Sequence, residues 1–178
     1  CALPIFVMNT TEAIMSRRSV RKFDPEKPVT KEQIRSMLDA AMHAPSARNS
    51  RPWDFVVITK PEDIRKVGSF VGGPQYDTAT AVVIVVAVPE RQVNFCEGNH
   101  FNDCGAAAAT LLLQAWEMGI GTCWCGLYPV ESRMEGAREM LGLPEDVIPF
   151  CAIPMGVPAE TPTCKGFYDE KLVHYDRW

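Results

Sequence analysis

Apolar residues recur at helical spacing in two early segments of the chain. In residues 9–16, Asn9 is a candidate N-cap, so we expect a short helix there. A stronger signal follows, where Thr30 and Gln33 can form a capping box and apolar residues recur every three or four positions. Pro45 cannot continue a helix, so the second helix is expected to end before it.

Longer apolar runs predict the buried part of a sheet and a central helix. Residues 79–88 are almost uniformly apolar and rich in valine, which is typical of a strand buried on both faces. Residues 103–118 are apolar nearly all round and predict a long helix through the core. Pro149 and Pro154 place a predicted strand at 147–157 at a sheet edge or make it irregular. The other expected elements are strands at 55–59 and 122–127 and helices at 61–70 and 131–141.

The composition is that of one soluble domain. The chain has 178 residues, of which 47% are hydrophobic and 22% charged, so it can bury a sizeable hydrophobic core. We expect residues 8–178 to form a single domain. Residues 1–7 have no initiator methionine and no basic start, and we expect an extension or a processing remnant there, not a signal peptide. No apolar run is long enough to span a membrane.

The densest chemistry lies between the first two predicted helices, in Arg17-Arg18-Ser19-Val20-Arg21-Lys22-Phe23. Arginine offers a planar fork of donors that binds phosphate oxygens in pairs, and a serine hydroxyl adds another donor. A compact cluster of this kind therefore suits a phosphate. The alternatives are a solvated charge run or a nucleic-acid patch. Since the net charge is −4, a general nucleic-acid binder is disfavoured.

Cysteine usage indicates reduced thiols. There are seven cysteines, an odd number in a chain that is not small, which favours a cytosolic protein over a disulfide framework. Cys123 and Cys125 form a CxC pair, and the three histidines show no ligand-like spacing around it. We therefore expect no structural metal site.

Common catalytic motifs are missing from the sequence. Gly119-Ile120-Gly121 lacks the third glycine of a dinucleotide fingerprint and follows a helix instead of a strand. There is no phosphate-binding P-loop and no serine nucleophile elbow. His100 and Asp103 are one helical turn apart but lack a nucleophile, so His100 is interpreted as a surface or boundary residue. An enzyme of this composition would take its chemistry from an organic cofactor.

Four motifs, in this order, resemble the FMN-dependent nitroreductase family. Each is weak alone, but together they span nearly the whole chain from Met8 onward. They are the basic cluster Arg17-Arg18-Ser19-Val20-Arg21, the loop from Ala44 to Trp53 (APSARNSRPW), the turn from Gly119 to Trp124 (GIGTCW), and the ending from Val173 to Trp178 (VHYDRW).

The resemblance implies a set of FMN contacts. The basic cluster would hold the phosphate and ribityl chain, and the loop would reach the flavin of the other subunit. The segment 121–126 would pass the isoalloxazine, and a late lysine would return to the phosphate. The residues concerned are Arg17, Arg18, Ser19 and Arg21, then Pro45, Ser46 and Asn49, then Gly121, Trp124, Cys125 and Gly126, and finally Lys165.

Each assignment outside the basic cluster has a structural alternative. The loop around Asn49 can be a polar surface turn. Trp124 and Cys125 can be ordinary core residues, and Lys165 can be a solvated tail residue. Phe167 stands where many family members have a second basic residue, which weakens the implied late contact.

The resemblance also implies a fold and an activity. The fold would be α+β, with a mixed, mostly antiparallel sheet flanked by helices in an intertwined homodimer that has its flavin sites at the subunit interface. The protein would be a cytoplasmic oxidoreductase in which NADH or NADPH reduces bound FMN. A nitroaromatic, a quinone or a similar small acceptor would then take the electrons. No nucleic-acid or membrane partner is expected.

Two alternatives remain at this point. One is a specialised flavin enzyme of the same fold, for reductive dehalogenation or flavin cleavage. Such members carry extra lid segments, whereas the connection from Val88 to Asp103 leaves room for a small lid only. The other is a non-enzymatic module that uses the basic cluster to bind an anion or nucleic acid.

Overall fold

Helices and strands alternate along the chain in this computed structural model, which describes residues 8–93, 96–163, 166 and 168–178. The expected N-terminal extension, residues 1–7, and Lys165 lie outside the described residues. The helices are α1 (Thr10–Ser16), α2 (Lys31–Met42), α3 (Pro61–Val71), α4 (Gln75–Thr78), α5 (Asn99–Glu117) and α6 (Glu131–Leu141). The strands are β1 (Trp53–Ile58), β2 (Ala81–Ala87), β3 (Gly121–Thr122), β4 (Cys125–Gly126) and β5 (Ile148–Gly156).

The sheet has the order β1-β2-β5-β3, with β4 also paired to β5, and every pairing between these strands is antiparallel. Strand β2 is buried at every position, which confirms the prediction from its valine run. Alternate side chains explain that burial. Val83 and Val85 pack with α2 and α5 on one face, while Val82 and Ile84 pack with α3 and α6 on the other. The predicted mixed architecture of helices around an antiparallel sheet is confirmed.

The position of β5 corrects one prediction. Its two prolines suggested an edge strand, but β5 lies inside the sheet, between β2 and the β3–β4 segment. Pro149 is accommodated by a bulge, because the register shifts between Val85 and Val86 of β2. Pro154 accepts a hydrogen bond from the Cys123 N–H at 3.1 Å but has no N–H to return. The expected irregularity of the strand is therefore confirmed, and the edge position is wrong.

The same proline explains why the strand predicted at 122–127 appears as two short pieces. Both β3 and β4 keep one continuous register against β5, with Thr122 opposite Met155 and Cys125 opposite Ala152. Regular pairing lapses only at residues 123–124, the stretch where Pro154 cannot donate. The segment is thus one strand interrupted at its centre.

Local signals place most helix ends. The predicted capping box of Thr30 and Gln33 is present, and the candidate N-cap Asn9 also forms a capping box, with Glu12. Helix α5 begins at Asn99, four residues before the predicted start, and its first turn is polar. Helix α4 was not predicted. Within the described part of the chain, no helix has both the length and the apolarity needed to cross a membrane.

The loop between α2 and β1 holds a strained backbone. Arg48, Asn49 and Arg51 have φ angles of 54°, 56° and 48°, in the left-handed region that side chains other than glycine rarely adopt. Each such residue costs on the order of 1–3 kcal/mol, and surrounding contacts must maintain it. Two bonds close the loop on itself, since the Arg51 N–H donates to Ser46 Oγ at 3.0 Å and Arg51 Nε donates to Asn49 Oδ1 at 2.9 Å.

One bond ties this loop to the core. The Ala47 N–H donates to Oδ1 of Asp103 at 3.0 Å, and Asp103 is a buried residue in the first turns of α5. A hydrogen bond to a buried charged group is worth roughly 1.5–3 kcal/mol. Asp103 therefore fixes where the loop stands relative to the long helix.

This anchor predicts a specific loss of order in the loop. In Asp103→Leu, which cannot accept the Ala47 bond, trypsin should cleave after the exposed Arg48 about 10- to 100-fold faster, as expected for losing roughly 1.5–3 kcal/mol of local stability. The rate is read from gels or mass spectra of the native protein. Asp103→Asn keeps an acceptor oxygen and should cleave at nearly the wild-type rate. Equal rates for all three proteins, with circular dichroism unchanged, would show that Asp103 does not hold the loop.

Candidate functional site

The basic cluster is held along the sheet as an added strand-like segment, residues 17–23, which we call the basic strip. Ser19 forms a parallel bridge with Thr122 of β3, and the Val20 N–H donates to the Thr122 carbonyl at 2.9 Å. Farther along, Phe23 bridges Pro158. The cations therefore have fixed backbone positions, unlike the residues of a solvated tail.

Two apolar residues of the basic strip anchor it. Val20 and Phe23 are 0% and 1% exposed, while the residues between them point to solvent. Each anchor packs against a glycine that must remain small. A Cβ on Gly121 would lie 2.9 Å from the Val20 side chain, and a Cβ on Gly156 would lie 2.8 Å from that of Phe23. The absence of a side chain at Gly121 thus allows the basic strip to lie close to β3.

A cavity of about 430 Å³ opens beside the basic strip. Two guanidinium groups and a serine hydroxyl face one carboxylate across it, which is the donor chemistry of an anion site. Glu160 already accepts hydrogen bonds there from the backbone N–H groups of Arg21, at 2.5 Å, and Lys22, at 3.2 Å. The lining residues are Arg18, Ser19, Arg21, Glu160, Pro162 and Thr163.

The other end of this region holds two thiols with different ionisation. The pKa of Cys125 is lowered from 9.0, chiefly by the neighbouring Cys123 thiol, and further by the nearby Tyr76 and Gln75 side chains and the charge of Arg133. The pKa of Cys123 is raised, because the neighbouring Cys125 sulfur and the burial of the side chain both favour its protonated form. Cys125 is therefore the thiol of the pair that ionises first.

Cys125 sits among polar groups at the edge of β4. Gln75 Nε2 donates to Cys125 Sγ at 3.3 Å. Arg133 of α6 donates from Nη1 to the Gly126 carbonyl at 2.9 Å, which brings its charge to the same edge. Cys125 and Gly126 are both half-buried. Cys125 also packs against the apolar cluster on the α3–α6 face of the sheet, so the core interpretation holds for part of its surroundings.

Trp124 points away from the thiols, as alternation along an extended segment requires. Its side chain is 37% exposed and meets Phe150 edge-on, with ring centroids 5.7 Å apart. Phe101 of α5 stacks on Tyr128 with centroids 4.0 Å apart and also lies 6.1 Å from Phe150. Trp124 is thus part of a surface aromatic group, and the core interpretation for it is wrong.

His100 does not have the surface or boundary position that was expected. It is buried, and its Nδ1 lies 2.9 Å from Gln92 Oε1. Burial lowers the pKa of His100, since the charged ring would lose its hydration, and the nearby Asp103 carboxylate opposes that effect only in part. No nucleophilic side chain is hydrogen-bonded to it in the described part of the chain.

The basic strip and the loop lie toward opposite ends of α5. Ser16, next to the basic strip, accepts a hydrogen bond from Trp116 Nε1 at 2.8 Å, near the C-terminal end of the helix. The loop with Pro45, Ser46 and Asn49 is tied to Asp103 near the N-terminal end. Thirteen residues of α-helix separate these contacts, which is about 20 Å along the axis. Within one chain, the strip and the loop are therefore well apart.

Several residues of the site were not singled out from the sequence. Glu160 bonds to backbone groups about 140 positions away, and no local pattern reports such a contact. Gln75 and Tyr76 lie on α4, just after Gly72 and Gly73, which have φ angles of 85° and 102°. That glycine pair is a turn signal that could have drawn attention to α4. Lys165 cannot be placed, because it lies outside the described residues.

Comparison with known proteins identifies the family. The model of the nitroreductase family matches residues 14–98 and 97–157. A protein of Methanothermobacter thermautotrophicus named as an NADH dehydrogenase/NAD(P)H nitroreductase is 37% identical over 173 residues, covering 96% of this chain and 88% of its own length. A Vibrio harveyi NADPH-flavin oxidoreductase is 30% identical over 170 residues, covering 88% of this chain and 69% of its own.

Solved structures agree with the sequence comparison. An FMN-dependent nitroreductase from Clostridium difficile superposes with a TM-score of 0.85 at 27% identity, covering 93% of this chain and 98% of its own. The family match over residues 14–98 includes both the basic strip and the loop. The chain belongs to the nitroreductase family.

Proposed function

We propose that this protein is an FMN-dependent oxidoreductase that uses NADH or NADPH to reduce nitroaromatics, quinones or similar small acceptors, within a single domain over residues 8–178. The observation that carries the proposal is the basic strip, which is bridged to the sheet and places two of its cations, Arg18 and Arg21, at one cavity. Relatives named as an NADPH-flavin oxidoreductase and an FMN-dependent nitroreductase support it.

The donor set of the cavity fits the phosphate of FMN. Arg18 and Arg21 supply planar cationic donors and Ser19 supplies a hydroxyl, all on a backbone pinned to β3. Two backbone N–H groups of the same strip already bind a carboxylate oxygen of Glu160, so the location attracts oxyanions. When bound, FMN would supply the hydride-transfer chemistry.

The protein's own part is to bind, orient and shield. Arg17, Arg18, Ser19 and Arg21 would hold the phosphate and ribityl chain. The segment that follows Thr122 leads from the strip to Trp124, Cys125 and Gly126, along the surface where we expect the flavin ring. Positioning of this kind lowers a barrier by fixing the reacting groups in advance of the reaction.

We further propose that two subunits build each site. One chain holds its strip and its loop about 20 Å apart along α5, so the loop contacts of Pro45, Ser46 and Asn49 belong to the flavin of a second subunit. Exposed apolar side chains favour such a homodimer. Ile14 on α1 is half exposed, and in the tail Trp178 is fully exposed.

The remaining assignments concern surroundings and partners. The five described cysteines are all free thiols, which supports a reducing compartment, and we propose the cytoplasm. The net charge of −4 argues against nucleic acid as a partner. The short connection between β2 and α5 argues against the large lids of specialised flavin enzymes.

The first prediction tests the reaction. The purified protein should carry or take up one FMN per chain, and anaerobic NADH or NADPH should bleach the flavin absorbance. A quinone such as menadione should restore it. Flavin absorbance that is unchanged by both NADH and NADPH would contradict the reductase activity but not the binding of the cofactor. A colourless protein that takes up no FMN, and binds DNA with a steep salt dependence, would support the non-enzymatic module instead.

The second prediction tests the phosphate site. Arg17→Ala with Arg21→Ala should weaken FMN binding about 100-fold or more, because two charge-assisted hydrogen bonds are worth roughly 3–6 kcal/mol together. Flavin fluorescence titration measures the affinity, and circular dichroism checks the fold. Arg35→Ala, an exposed arginine on α2, is the matched control and should bind normally. Undiminished affinity in the double variant would mean that the phosphate lies elsewhere.

The third prediction tests the shared site. Hybrid dimers are prepared by co-expressing the strip variant, Arg17→Ala with Arg21→Ala, and a loop variant, Ser46→Ala with Asn49→Ala, under different tags. If each site takes its strip from one chain and its loop from the other, one site per hybrid is intact. Flavin content should then recover to about half of wild type, while either variant alone stays low. No recovery in the hybrid would place strip and loop in the same chain's site.

A further inference from the structure

A compact cluster of thiols and donors lies at the edge of β4, and the proposed flavin contacts involve only its Cys125. The cluster comprises Cys123, Cys125, Gln75, Tyr76 and Arg133. Three separate elements supply it, namely the interrupted strand, α4 and α6. Gln75 is only 5% exposed, yet its amide donates to the sulfur of Cys125 at 3.3 Å. Burying an amide against a thiol is unusual, since a thiol is a weak acceptor but a thiolate is a strong one.

A second buried donor faces the same sulfur. Tyr76 is 2% exposed, and its hydroxyl has no partner at hydrogen-bond distance among the described residues. The tyrosine acts electrostatically on Cys125, and the positive charge of Arg133 acts in the same direction. An unpaired buried hydroxyl costs roughly 1–3 kcal/mol unless it finds an acceptor. A thiolate at Cys125 provides that acceptor.

Cys123 supplies a second thiol close to Cys125. Cys123 and Cys125 are two residues apart in an extended segment, so their side chains share one face, and the Cys125 thiol donates to the Cys123 carbonyl at 4.0 Å. The backbone between them is the stretch that Pro154 leaves without regular pairing. That stretch can adjust toward the geometry that a disulfide requires more easily than a regular strand could.

We propose that Cys125 and Cys123 form a thiol–disulfide exchange centre, in which Cys125 is the nucleophile and Cys123 the resolving thiol, acting on small disulfides. Cys125 is half-buried and reachable from solvent, whereas Cys123 is buried behind it. The more exposed thiol, Cys125, would therefore attack the substrate first, and the buried thiol, Cys123, would react second. Arg21, whose charge acts on Cys123, and Arg133, whose charge acts on Cys125, favour a disulfide that carries negative charge.

The chemistry balances without a further oxidant. The Cys125 thiolate attacks one sulfur of the substrate RSSR, forming a Cys125–S–S–R bond and expelling RS⁻. Cys123 then loses its proton and attacks the Cys125 sulfur, which forms the protein disulfide and expels the second RS⁻. Two electrons pass from the two cysteines to the substrate. The proton of Cys123 ends on one released thiol, and the other RS⁻ takes a proton from water.

The test uses oxidised glutathione as the probe on the reduced full-length chain. Trypsin releases residues 92–133 as one peptide, which contains Cys96, Cys104, Cys123 and Cys125. In the wild type, this peptide should lose two hydrogens and keep no glutathione. Cys123→Ser should retain one glutathione on Cys125, and Cys125→Ser should show neither product. Cys96→Ser, a buried cysteine of the same peptide, is the control and should behave as wild type.

Other outcomes overturn the proposal. A stable glutathione adduct on wild-type Cys125 would exclude Cys123 as the resolving thiol, and an unmodified peptide would exclude the centre altogether. A milder variant guards against misfolding of the cysteine variants. Tyr76→Phe keeps the buried ring but removes the donor, and should slow iodoacetamide alkylation of Cys125 about three- to tenfold at about pH 5. An unchanged rate, or a wild-type rate that rises only near pH 9.0, would contradict a stabilised thiolate.

None of these measurements uses NADH, NADPH or flavin absorbance. The thiol centre and the proposed FMN-dependent activity can therefore fail independently, and each result is assigned to one of them.

Discussion

The seating of the basic strip against β3 is the constraint on which the rest of the site depends. Four or five charged and polar residues in a row would ordinarily extend into solvent, since nothing apolar holds them to the protein. Here Val20 and Phe23 reach inward at the positions left open by Gly121 and Gly156, and the backbone bonds of the bridge fix the register. Each fully buried apolar side chain contributes on the order of 1.5–3 kcal/mol, enough to immobilise the cations beside it.

The same seating ties the site to the core. The strip joins β3, β3 pairs with β5, and β5 lies beside the fully buried β2. A change in the core packing of β5 would therefore be felt at the cavity, through one continuous set of backbone hydrogen bonds. Pro154 interrupts regular pairing in that path, with Cys123 opposite it and Cys125 two residues farther along the neighbouring strand.

Structural features that depend on residues close together in the sequence could be predicted. The capping box of Thr30 and Gln33, the valine run of β2 and the basic strip between two helices all follow from patterns a few residues long. The position of β5 in the sheet could not be predicted. A proline removes one backbone N–H from the strand, but the sequence does not show which neighbouring strand lacks the corresponding hydrogen bond. The contacts of Glu160 and Asp103 join residues 139 and 56 positions apart, and a pattern in one sequence carries no signal for them.

The distance between the strip and the loop has a thermodynamic consequence. If each flavin needs a strip from one chain and a loop from another, cofactor binding and subunit association are linked equilibria. Each would then strengthen the other by the same factor. Dilution that separates the subunits would release the cofactor, so the fraction of bound flavin would report the extent of assembly. Because about 20 Å of helix separates Asp103 from Trp116, the flavin absorbance per chain would fall as the protein concentration is lowered.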